Sequence, residues 1–444
     1  MPPVRRRGGF HERPQVRLLP RLLAAHHTLG TVQHAGSPST AAAPVIPSWK
    51  RDFAVLWFAQ FSAIVGFGLA LPFLPLYIQT LGVPDPAEAA LWAGGMASLG
   101  GLAMAVMAPI WGTMADRYGR KPMVTRSMIG AGLFVAAMAI VNDVRQLFAL
   151  RSAQGLLSGT VPASRLLAAS VVPPDRLGQT MGLMATAQFV ASSFAPFLGG
   201  LISEHWGFPI AFLMTGALLL GAGLLVLVSI REQFTPPAGA TRGGRRLADV
   251  KRIFGSPRVA AAIGIMLATH MAQMAMGPIM PIYVQSMLPP GAPVASTVGT
   301  VVGAAALTSA IAATVGGRLG DRVGHARVLL VASVIGALFF IPQSLAADPT
   351  QLLLFRAAGG IFLGAIVPVG MAYIALATPA GSRGWVFGMS TTATSLGSAV
   401  GPMLSATVAA NFGPRASFQV VGAIVLLGAL GALFASRSRE QTAA

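Results

Sequence analysis

The residues able to do chemistry in this 444-residue chain are few and widely spaced. Gly112-Thr-Met-Ala-Asp116-Arg117-Tyr-Gly119-Arg120-Lys121 places an acid, three bases and two glycines within ten residues. There Gly119 permits a tight turn, and the Asp116 carboxylate can bind a neighbouring helix N-terminus for about 0.3–1 kcal/mol, or about 2 if partly buried. A weaker echo, Asp321-Arg322-Val-Gly324, continues with His325-Ala326 in place of Arg120-Lys121. Arg151, followed by Gln154 and Gly155, is a permanently charged guanidinium inside an apolar run and needs a partner or a water-filled cavity, unless it snorkels to an interface. His270 has an ordinary pKa of about 6.5, suited to proton exchange near neutrality. The absence of cysteine excludes disulfides, thiolate metal sites and a cysteine nucleophile. No nucleotide-binding loop, metal-spaced His/Glu cluster or nucleophile–base pair stands out, so the sequence reads as no enzyme, with no cofactor, no metal and no use of ATP.

These residues must be positioned by elements built for lipid. Hydrophobic residues make up 54% of the chain and charged ones only 10%, against about 25% in soluble domains. Each spanning helix needs about 20 apolar residues. Twelve such stretches occur, near 53–80, 89–114, 122–142, 146–171, 177–202, 207–230, 258–287, 295–319, 326–346, 350–378, 383–409 and 414–435. Turn signals such as Pro173-Pro174-Asp175 and Pro289-Pro290-Gly291 separate them. Short loops make neighbouring helices antiparallel, and an even number puts both termini on one side.

The net charge of +18 is distributed as membrane topology demands. Arg117, Arg120, Lys121 and Arg126 follow the second span, Arg318, Arg322 and Arg327 flank the eighth loop, and Arg242, Arg245, Arg246, Lys251 and Arg252 fill the centre. The opposite loops carry Asp85, Glu88, Asp143, Glu204 and Asp348. The basic side is expected to be cytoplasmic, with both termini there, and nucleic acid is not an expected partner.

Two halves repeat in nearly constant register. Pro72, Pro75 and Tyr77 return as Pro278, Pro281 and Tyr283, 206 residues on. Arg151, Gly155 and Gly159 return as Arg356, Gly360 and Gly364 at an offset of 205, and Gly182, Pro196, Gly207 and Phe212 return as Gly388, Pro402, Gly413 and Phe418 at 206. The expected fold is therefore an all-α membrane protein, twelve transmembrane helices in two pseudo-symmetric six-helix bundles. Its parts are a basic, disordered cytoplasmic tail (1–49), bundles over 50–230 and 257–435, a cytoplasmic linker (231–256) and a short tail (436–444). Residues 1–49 also share the composition of a transit peptide or an over-extended start.

On these motifs the sequence resembles the major facilitator superfamily, and within it the twelve-span drug:proton antiporters, over residues 50–435. The resemblance implies that Gly112, Asp116, Arg117, Gly119, Arg120 and Lys121, with Asp321, Arg322 and Gly324 in the second half, form a gating motif that locks the outward-facing state. Pro196, Gly199 and Gly200 with Gly397, Gly401 and Pro402 resemble the antiporter hinge, although Ala191 and Ala195 stand where the family has glycine. It further implies a cavity lined by the first, fourth, seventh and tenth helices, for which Gln60, Phe67, Gln154, Gln273 and Tyr373 are the lining candidates. Many relatives carry a titratable carboxylate in such a helix; this chain has none there, which leaves His270, influenced by Arg151, as the expected proton-coupling residue.

The expected function is proton-coupled efflux of small apolar molecules by a monomer in the inner membrane, whose partners are substrate, protons and the lipid bilayer. A sugar or small-metabolite facilitator of the same fold is the alternative.

Overall fold

The computed structural model describes residues 49–232, 234, 257–378 and 383–437. The N-terminal tail, the basic cluster from Arg242 to Arg252 and the final tail lie outside the described residues.

All twelve expected helices are present. They run Trp49–Thr80, Pro86–Tyr118, Arg120–Ile140, the two-part fourth helix Val144–Leu156 and Thr160–Val171, Leu177–Trp206 and Phe208–Ser229, then Pro257–Gln285, Val294–Val323, His325–Leu345, Pro349–Ala377, Arg383–Phe412 and Pro414–Arg437. Ten are long and apolar enough to cross a membrane. The exceptions are the fourth, which is interrupted, and the eleventh, which is diluted by Ser, Thr and Gly.

Local chemistry sets the boundaries. Asp85, Asp143 and Asp348 cap their helices, accepting from the N–H groups of Glu88 (3.0 Å), Arg145 (2.6 Å) and Thr350 (2.8 Å). The loop acids thus satisfy free helix donors. Single glycines join the second helix to the third and the eighth to the ninth: Gly119 (φ 98°) and Gly324 (φ 99°) adopt a backbone other residues avoid. In the first helix Pro75 has no N–H for the Leu71 carbonyl, so Leu74 donates to it instead and the helix tightens to a 3₁₀ turn over Leu71–Phe73.

Two cores follow the sequence repeat. One is built wholly from residues between Phe53 and Ile230, the other from residues between Val259 and Val425 joined by Phe73, Leu76 and Ala90. Equivalent contacts recur in each. Tyr77 donates to the Met138 carbonyl at 2.9 Å and its ring lies tilted 4.9 Å from that of Phe212; Tyr283 donates to the Gln343 carbonyl at 3.0 Å and lies 4.9 Å from Phe418. Where Gly199 meets Leu69 in the first half, Ser405 at the equivalent crossing donates 2.6 Å to the Ala275 carbonyl.

Candidate functional site

A cavity of about 280 Å³ lies between the bundles, among the first, second, fourth, seventh and eleventh helices. Pro75, Arg151, Ser158, Met274, Pro278 and Ser398 give it its character, and Arg151 is the charged residue in its wall. The tenth helix, expected to contribute, does not line it.

The fourth helix is not the single element the sequence suggests. It stops at Leu156, and Gly159 turns left-handed at φ 117° before helix resumes at Thr160. Carbonyls released by such a break must be satisfied from elsewhere. Trp111 Nε1 donates to the Leu156 carbonyl at 2.9 Å and Arg126 Nη1 to that of Leu157 at 3.3 Å, with the Arg126 guanidinium 3.5 Å above the Trp111 ring. In the second half Gly364 stands at the position of Gly159, and the tenth helix runs unbroken. Arg151, on the first part of the helix, and Ser158, within the irregular backbone itself, both line the cavity.

Arg151 donates through Nη1 to Gln154 Oε1, and its buried Nε makes no hydrogen bond with a described residue. Gln154 is thereby an arginine partner and not a member of the wall. His270 Nε2 lies 2.9 Å from Ser398 Oγ, so it is one hydrogen bond removed from the cavity. Gln60 is fully buried and donates 2.9 Å to the Met184 carbonyl, tying the first helix to the fifth. Phe67 packs on the first core and Tyr373 on the second, while Gln273 is half-buried; none of the three lines this cavity.

One end of the cavity is closed. Gln79 and Gln285 bond reciprocally at 3.0 and 2.9 Å. Glu204, at the end of the fifth helix, accepts from Ala295 N (2.9 Å) and Ser296 N (3.3 Å) at the start of the eighth, a carboxylate on the positive end of a helix in the other half. Small residues allow the approach: a Cβ on Gly200 would meet the Ala295 carbonyl oxygen at 2.5 Å, and one on Gly299 that of Pro196 at 2.2 Å. The eleventh helix also crosses between the halves, its Met403 amide donating 3.0 Å to Ser98 Oγ, while within the second half its Gly401 lies against the Met271 carbonyl. Gly397 lies beside the Met271 amide, so the expected hinge glycines all sit at helix crossings.

At the other end the same helices part. The equivalent open positions Gly112, Gly182, Gly317 and Gly388 have nothing within 4 Å of an added Cβ. Asp116, Arg117 and Tyr118 are exposed, and the Asp116 carboxylate bonds no described residue. Glu232 instead caps the third helix, accepting from Arg120 N and Lys121 N at 2.8 Å each and lying where a Cβ on Gly119 would go. In the second copy Asp321 pairs with His325 at 3.4 Å. The sequence reading missed Glu232, Glu204, Ser398 and the glutamine pair. The last was detectable, since Gln79 and Gln285 stand two residues beyond Tyr77 and Tyr283 in the repeat.

The profile of the Major Facilitator Superfamily matches residues 56–293 and 292–444. The chain belongs to the Major Facilitator Superfamily. It is 31% identical over 396 residues to the multidrug resistance protein MdtG of Klebsiella pneumoniae (strain 342), covering 88% of this chain and 94% of that one. It is 32% identical over 386 residues to the MdtG of Enterobacter lignolyticus (strain SCF1), covering 86% and 91%. Among solved structures, a bacterial homologue of the human lysosomal transporter Spinster shares the fold with a TM-score of 0.73 at 14% identity, over 88% of this chain and 98% of that one. The nucleoside transporter NupG does so at 0.73 and 15%, over 87% and 99%. This superfamily member is a multi-pass membrane protein and a secondary transporter, and it acts on a small molecule by carrying it, without the chemistry of an enzyme.

Proposed function

We propose that the protein exports small, largely apolar drug-like molecules across the bacterial cytoplasmic membrane as a monomer, exchanging each for protons by alternating access. The carrying observation is the cavity sealed at one end by Gln79–Gln285 and Glu204, and parted at the other beside Asp116. The MdtG relatives are named for multidrug resistance, which supports a drug cargo. By the positive-inside rule the Asp116 end is cytoplasmic, as are both termini, so this state opens inward.

In the outward-facing state Asp116 takes the role that Glu204 plays here, placing its carboxylate on the N-terminus of the eleventh helix while Glu204 lets go of the eighth. Each lock contributes only about 0.3–1 kcal/mol, weak enough for both states to be populated. The cavity wall of methionine, proline and glycine takes varied apolar shapes. His270 exchanges a proton as substrate comes and goes, through Ser398, while the fixed Arg151 charge opposes a second cation in the same cavity. The test is accumulation of a panel of fluorescent dyes in cells: cells producing the protein should hold less dye than cells producing Asp116→Asn. Equal accumulation of every dye would contradict efflux.

A further inference from the structure

Each half of the molecule is a control for the other, and one break in the symmetry opens a groove. In the first half Trp111 and Arg126 stack together and bond the carbonyls of Leu156 and Leu157. The residues 205 positions later are Gly316, Val331, Ile361 and Phe362. Without the indole and the guanidinium, a surface groove of about 450 Å³ opens between the eighth and ninth helices, with the tenth as its floor. Ile311, Val315, Leu319 and Val323, spaced four apart on the eighth helix, form one wall and are 46–58% exposed. From Thr308 to Val323 the groove follows 16 residues of helix, about 22 Å for the rises between them at 1.5 Å each, which exceeds half of a bilayer core about 30 Å thick.

Arg327 is the charged residue in this lining, which is apolar apart from Thr308. It stands at the end nearest Asp321, is exposed, and forms no ion pair with a described residue. Three arginines, Arg318, Arg322 and Arg327, gather there against the single carboxylate of Asp321, which already faces His325.

We propose that this groove holds one acyl chain of an anionic phospholipid whose phosphate binds Arg327. A long apolar trough ending in one unpaired cation matches an amphiphile with an anionic head and a hydrocarbon tail. A neutral cargo would leave the guanidinium unmatched, and a zwitterionic lipid would bring a second cation to an already basic corner. The bound head group sits beside the second copy of the gating turn, Asp321-Arg322-Val-Gly324, and the site is separate from the cavity at Arg151.

Native mass spectrometry of the delipidated full-length protein, titrated with phosphatidylglycerol or with phosphatidylcholine of the same chains, tests this. The wild type should retain one phosphatidylglycerol in preference to phosphatidylcholine. Arg327→Gln should lower phosphatidylglycerol retention about fivefold and leave phosphatidylcholine unchanged. Ile361→Trp, placed on the 52% exposed floor, should refill the groove and reduce both. Should that variant fail to fold, Val315→Trp, on the 53% exposed wall, should act likewise without adding a charge. Equal retention of the two lipids by the wild type, undiminished phosphatidylglycerol in Arg327→Gln, or displacement of the lipid by a transported dye would overturn the proposal.

Discussion

Gln79 and Gln285, equivalent residues of the two halves, exchange hydrogen bonds of 3.0 and 2.9 Å. Equivalent side chains can bond each other reciprocally only where the pseudo-twofold axis passes between them, so the pair marks that axis and seals one mouth of the cavity. Because the chain has no cysteine, Gln79→Cys with Gln285→Cys can be bridged by a short thiosulfonate linker without background labelling. Linking should arrest transport and a reductant should restore it. Full transport by the linked protein would contradict opening at this mouth.

Glu204 holds the start of the eighth helix by charge as well as by hydrogen bonds. Glu204→Gln keeps the shape and removes the charge, which should shift the balance toward opening by about 0.3–1 kcal/mol. Cysteine at Ala97, in the cavity wall, should then react about two- to fivefold faster with an impermeant maleimide added on the Gln79 side. An unchanged rate would mean that Glu204 is not part of the lock.

Glu232 and Asp116 should separate stability from gating. Glu232→Ala uncaps the third helix and should cost about 0.5–2 kcal/mol, read as a lowered unfolding temperature in detergent. Asp116→Asn breaks no contact in this state and should leave stability within about 0.5 kcal/mol, yet lose most transport because it locks the other state. Asp321→Asn should be milder. Wild-type rates in both aspartate variants would reduce the motif to a topology signal.

His270→Gln preserves a polar group near Ser398 but cannot titrate. It should abolish uphill export while sparing downhill exchange, and substrate-induced proton release from the purified protein between about pH 6 and 8 should vanish. Undiminished release would remove His270 as the proton carrier.

Much of this fold is legible in the sequence because the repeat is. Tyr77 and Phe212 predict Tyr283 and Phe418, and the four side chains pair as their spacing requires. Hidden features depend on contacts that sequence leaves anonymous. Gly159 resembles any glycine of an apolar helix, and the break there depends on Trp111 and Arg126 arriving from two other helices. Glu204 and Glu232 look like surface acids because their partners are backbone N–H groups, which carry no residue signature. Gln60 looks like a cavity residue, as a polar side chain in an apolar helix should, but a carbonyl of the fifth helix takes its amide instead.

Inverted membrane vesicles carrying the protein test proton-driven efflux most directly. With the vesicle interior made acidic, a fluorescent dye should accumulate inside against its gradient and leak out when a protonophore collapses the pH difference. Equilibration of the dye to the same level with or without the pH gradient would contradict coupled export and assign the protein as a facilitator.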